Sequence, residues 1–182
     1  MSASRWADLG LEESKDICDD FRPSALLGEG TFGTVWAAVP CRQQSPKGSG
    51  KYVAVKFIPV VSLSKQVLDP GGPLGRELAV IKVLAATPHA NIVQSFGALY
   101  DRSFRGDSEV ARKLLTGDKR KECKGLVGIP MEMADFSVRS WLRRRGQGLG
   151  SKQCIAARFD LDMVPRCVAD ICEGWRTCID SV

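Results

Sequence analysis

The segment Leu26-Leu27-Gly28-Glu29-Gly30-Thr31-Phe32-Gly33-Thr34-Val35, followed further on by Val53-Ala54-Val55-Lys56, decides how this chain is read. Three glycines at this spacing let backbone N–H groups approach anionic oxygens without interference from Cβ atoms, and a lysine on a strand adds a point charge beside them. Together they predict a site for a nucleoside triphosphate. A dinucleotide fold also uses Gly-x-Gly-x-x-Gly, but there the loop opens a helix and an acidic residue follows about 20 positions later. Here Thr34-Val35-Trp36-Ala37-Ala38-Val39-Pro40 follows, a β-branched and aromatic run that ends at proline. Such a run reads as a strand returning from a turn. The glycines therefore belong to the end of a β-hairpin.

These residues resemble the protein kinase family, whose glycine loop reads Gly-x-Gly-x-x-Gly-x-Val and whose third strand carries Val-Ala-x-Lys. Both patterns are present in full. The resemblance continues in order along the chain. Arg76-Glu77-Leu78-Ala79-Val80-Ile81-Lys82-Val83-Leu84 is similar to the family's helix C, with Glu77 as the partner of Lys56. Pro88-His89-Ala90-Asn91-Ile92-Val93 is similar to the entry into its fourth strand, and Met131-Glu132-Met133-Ala134 to its gatekeeper and hinge. Phe136-Ser137-Val138-Arg139-Ser140-Trp141-Leu142 resembles helix D. Leu161, Val164, Val168, Ile171 and Trp175 recur at three- and four-residue intervals and resemble helix E.

The resemblance implies an α+β kinase-like fold: a five-stranded antiparallel small-lobe sheet with helix C over residues 21–133, then a hinge and a partial large lobe over residues 134–182. Residues 1–20 are expected to be a flexible extension, with inserted loops at about 40–51 and 101–125. The resemblance also implies roles. Lys56 would position the phosphates of ATP and Glu77 would hold Lys56, with Gly28, Gly30 and Gly33 cradling the phosphates. Leu27, Val35 and Ala54 would contact the adenine, Met131 would be the gatekeeper, and the Glu132 C=O and Ala134 N–H would bond the base edge. A complete chain of this family transfers the γ-phosphate to a protein Ser, Thr or Tyr hydroxyl. This chain stops at Val182, before the family's His-Arg-Asp and Asp-Phe-Gly. It is therefore expected to be inactive alone, to bind ATP weakly, and to need Mg²⁺ only when the missing lobe is present. A truncated, non-catalytic kinase-like interaction or regulatory module is the competing expectation, and a protein substrate or a regulatory protein is the expected macromolecular partner.

Composition narrows the rest. Of 182 residues 44% are hydrophobic and 26% charged, with a net charge of +5. No apolar stretch is long enough to span a bilayer and no signal peptide opens the chain, so an intracellular protein without membrane partners is expected. Seven cysteines form no Cys-x-x-Cys pair, and His89 is the one histidine, so neither zinc nor a disulfide framework is expected. Arg112, Lys113, Lys119, Arg120, Lys121 and Lys124 make residues 101–125 basic. No stacking aromatics accompany them, so the segment reads as a solvated excursion and no nucleic-acid partner is expected. Lys56, which follows Val53 and Val55 by the strand period, is placed on an inward face and needs a carboxylate for company.

Overall fold

The computed structural model describes residues 10–41, 52–61, 71–116 and 120–134. The expected helices D and E, the Arg143–Arg145 run, four of the cysteines and most of the expected 40–51 loop lie outside the described residues. The chain divides into two units, one formed by Met1–Pro88 with Val93–Met133 and the other by His89–Ile92 with Ala134–Val182. In the second, the His89 Nδ1 accepts from the Asn91 N–H at 3.2 Å, so the histidine shapes a local turn.

The described residues of the first unit form six strands and three helices: β1 (Leu11–Ser14), α1 (Ile17–Asp20), β2 (Phe21–Gly30), β3 (Gly33–Pro40), β4 (Val53–Pro59), α2 (Pro73–Ala86), β5 (Ala98–Asp101), α3 (Glu109–Leu114) and β6 (Leu126–Met131). The strands form one sheet in the order β1-β5-β6-β4-β3-β2. All neighbours are antiparallel except β1 and β5, which run parallel with Leu11 opposite Ala98 and Ser14 opposite Asp101. The expectation of five antiparallel strands is thus corrected to six in a mixed sheet. The sixth strand comes from residues expected to be a flexible extension. Its acidic composition concealed two apolar anchors: Leu11 and Ile17 are both buried. Polar bonds fix the same stretch. Asp101 is buried and accepts from the N–H groups of Ser103 and Phe104 and from Ile17 N, while Ser14 Oγ donates to Asp20 Oδ2 at 2.5 Å.

β4 lies between β3 and β6 and is buried on both faces, which suits its near-continuous apolar sequence. On one face Leu11, Ile58, Val60, Leu74, Leu78, Tyr100, Val127 and Ile129 pack together under α2. On the other, Ile17, Val53, Val55, Phe57, Phe104, Ala111, Leu114 and Leu126 form a second core under α1 and α3. The described residues of 101–125 are therefore a covering layer and not the solvated excursion expected from their charge. Ser108 caps α3 by accepting from the Ala111 N–H, Glu109 stands in the first turn, and Arg112 and Lys113 stand in the last, each at the end of the helix dipole that favours it.

α2 starts with Pro73 at its first turn and turns Leu74, Leu78 and Ile81 to the sheet. Pro130 sits in the interior strand β6, where a missing N–H would ordinarily cost a ladder bond. It stands opposite Val55 in β4, and its carbonyl accepts from Phe96 N at 3.0 Å on the other side. Its missing donor thus faces the start of β5. There Gly97, at φ +91°, shifts the register from Ser95 opposite Met131 to Leu99 opposite Gly128. The bulge gathers the irregularity at one place.

Two outcomes test this architecture. Ile17→Ala is expected to cost about 2–4 kcal/mol in urea unfolding, since it empties a fully buried site, whereas a flexible extension would show no effect. Burial, with Asp16, Asp101 and Asp19 nearby, pushes the Cys18 thiol up to about 12, and burial also raises Cys123. Both stay protonated at pH 8, so iodoacetamide is expected to modify exposed Cys41 well before either of them, as read by peptide mass mapping.

Candidate nucleotide site

The strand registers bring Gly28, Val35, Ala54, Lys56 and Met131 onto one face. One row across the sheet reads Gly28, Val35, Lys56, Ile129, and the next reads Ala25, Ala37, Ala54, Met131. Lys56 therefore shares its face with Ala54 and Ile58, not with Val53 and Val55 as the sequence analysis placed it. A period of two admits only that alternation. The Lys56 face is the one that α2 covers, so the lysine is inward all the same.

Glu77 stands on the α2 face that carries Leu74, Leu78 and Ile81, three residues after Leu74 and one before Leu78. Packing those leucines against the sheet brings its carboxylate to Lys56, with Nζ and Oε1 2.5 Å apart. The two side chains are 24% and 27% exposed, enough to admit a ligand and little enough to weaken screening by salt. An ammonium on a strand with two buried faces would be costly without an anion, and Glu77 supplies one.

The three glycines differ in what requires them. β2 and β3 meet at Gly30 opposite Gly33, leaving Thr31 and Phe32 as the turn. A Cβ on Gly33 would come within 2.0 Å of the Phe57 carbonyl oxygen, so close packing against β4 requires that glycine. A Cβ on Gly28 would meet nothing within 4 Å, and one on Gly30 only the Gly33 carbonyl oxygen at 3.8 Å. Neither has a positive φ. Within the described residues, then, neither backbone strain nor crowding demands glycine at positions 28 and 30; an approaching group would.

Gly28 and Lys56 lie two strand spacings apart, about 10 Å, a span that a lysine side chain and a phosphate chain can share. Leu27 is the residue where the β2–β3 register shifts and is half exposed. At the opposite end of the row, Glu132 N–H donates to the Gln94 carbonyl at 2.8 Å and its Oε2 accepts from Gln94 N. Ala134 is exposed and belongs to the second unit.

Sequence reasoning missed the contacts that reach the hairpin from the other face: Thr34 Oγ1 donates to the Leu114 carbonyl at 2.6 Å, and Thr116 donates to Glu29. The signal that was present is Ser108-Glu109 ahead of Arg112-Lys113, a capped helix with charges arranged along its dipole.

Comparison with known proteins agrees with the direction of these observations. Over 93 residues, 51% of this chain, the sequence is 32% identical to a protein of Arabidopsis thaliana described as "Probable LRR receptor-like serine/threonine-protein kinase". The match covers 8% of that protein's length. No family model matches the chain. Among the described residues no helix is long and apolar enough to cross a membrane.

Gly33→Ala is expected to lower stability by about 1–3 kcal/mol through its clash with β4. Gly28→Ala and Gly30→Ala should leave thermal melting unchanged or slightly raised, because each only restricts the unfolded chain. Equal losses at all three positions would show that the hairpin needs its glycines for folding alone.

Proposed function

We propose that this chain is the ATP-binding part of a protein kinase-like domain. As part of a complete domain it would act in transfer of the γ-phosphate to a protein serine or threonine hydroxyl. The observation that carries the reading is the Lys56–Glu77 ion pair, formed on the sheet face that also presents Gly28, Gly30 and Val35. Similarity to a serine/threonine-protein kinase supports the same reading.

The residues fit the group. Lys56 offers three N–H donors, of which Glu77 engages one side, leaving the ammonium to meet α- and β-phosphate oxygens. The open space at Gly28 and Gly30 admits the backbone amides to a phosphate. Val35 and Ala54 offer apolar surface for a purine, Leu27 adds to it from the rim, and Met131 closes the row beside Ala54. The Glu132 carbonyl is assigned to the base edge. ATP supplies the reactive phosphoanhydride when bound; the chain's own contribution is to orient it and to offset its charge. None of these residues is assigned to Mg²⁺, which would enter with the carboxylate and amide ligands of a complete domain.

Lys56→Met is expected to weaken ATP binding by about tenfold or more, since it removes charge-assisted hydrogen bonds. Glu77→Gln should weaken it less, because the lysine keeps its charge but loses its fixed position. Calorimetric titration checks both. Wild-type affinity in Lys56→Met would sink the proposal.

A further inference from the structure

The glycine hairpin is held from the face opposite the Lys56–Glu77 pair. α3 ends at Leu114, whose carbonyl oxygen has no partner within the helix. Two side chains of β3 supply donors to it: Thr34 Oγ1 at 2.6 Å and Trp36 Nε1 at 3.3 Å. Thr34 is buried, and the indole N–H also reaches its hydroxyl at 3.2 Å. Two residues after Leu114, the Thr116 hydroxyl donates to the Glu29 carboxylate, between the first two glycines. Glu29 stands opposite Thr34 in the hairpin and shares its face, whereas Gly28 stands opposite Val35 on the Lys56 face. The rest of the hairpin end is open, with Leu26, Leu27 and Phe32 about half exposed.

A two-stranded hairpin with an exposed end is marginally ordered by itself. If it had to be ordered at the moment of binding, the cost would be subtracted from affinity. Glu29 adds a second difficulty, because it is the one charged residue from Leu26 to Val35 and a carboxylate near bound phosphates would repel them. A tether to Thr116 meets both: it anchors the hairpin and keeps the carboxylate on the far side of the sheet.

We infer that residues 108–116 act as a clamp that sets the position of the glycine hairpin, with Thr34, Trp36 and Thr116 as positioning residues and Glu29 as the anchor. The clamp's effect on nucleotide affinity rests on the ATP reading given above; its effect on the hairpin does not. The segment that the charge pattern marks as an excursion thereby becomes a control element, since whatever displaces Thr116 from Glu29 loosens the phosphate-facing loop.

The test uses the full chain with Thr116→Val, Glu29→Ala and the conservative Thr116→Ser. It reads hydrogen exchange at the amides of residues 28–33, thermal melting, and ATP affinity by titration. Thr116→Val and Glu29→Ala are expected to speed hairpin exchange while melting stays unchanged. Thr116→Val should weaken ATP binding by about two- to tenfold, the range of one net hydrogen bond. Thr116→Ser should restore both readouts. Unchanged hairpin exchange in Thr116→Val and Glu29→Ala overturns the clamp, as does ATP binding that Thr116→Val leaves at wild-type strength. Faster exchange in a protein whose wild type binds no ATP upholds the clamp and overturns the nucleotide reading. Both decisive variants alter exposed groups, so the outcome does not depend on whether a change at buried Thr34 folds.

Discussion

An ammonium group on a strand buried on both faces cannot stand alone, and the first unit is arranged around that constraint. β4 runs through the middle of the sheet with apolar residues above and below, yet carries Lys56. Desolvation of that charge must be offset by a carboxylate or an anion. α2 meets the requirement because the stripe that buries Leu74, Leu78 and Ile81 also carries Glu77. Hydrophobic packing thus places the carboxylate, and the carboxylate makes the lysine tolerable. The pair remains partly open to solvent, so the same arrangement that satisfies the lysine leaves it able to meet a further anion.

The sheet separates two kinds of work. Its α2 face carries the charged pair, the two uncrowded glycines and the apolar row from Ala25 to Met131. Its other face is filled by Ile17, Phe104, Ala111 and Leu114, supplied by segments whose composition is mostly polar. Covering that second face has a structural consequence beyond burial. The helix that covers it ends with an unpaired carbonyl, and β3 answers with Thr34 and Trp36, so the covering layer and the glycine hairpin are joined by polar bonds and not by apolar contact alone.

The glycines show why a motif must be divided before it is interpreted. Gly33 is required by the Phe57 carbonyl and says nothing about a ligand, whereas Gly28 and Gly30 have no neighbour that excludes a side chain. A sequence pattern presents the three as equivalent. Pro130 is the converse case, a residue that looks misplaced in an interior strand until the bulge at Gly97 shows that its missing donor falls where β5 has yet to begin its regular pairing.

The sequence by itself determined the hairpin and the strand bearing Lys56, because both are written in local spacing, as β-branched runs and a glycine turn, whereas the helix bearing Glu77 and its pairing with Lys56 were expected only from the resemblance to the kinase family. Tertiary structure decided the rest. Leu11 and Ile17 become core residues only when β5 and Gly128 offer them a place, since one apolar residue among acids has no periodicity to reveal it. Which face of β4 meets α2 was decided only by the tertiary structure, because a strand buried on both sides shows no alternation of apolar and polar residues. Residues 101–125 were dominated in composition by charges, while the fold of those described is set by Phe104, Ala111, Leu114 and Leu115, four apolar side chains whose common direction exists only once α3 has formed against the sheet.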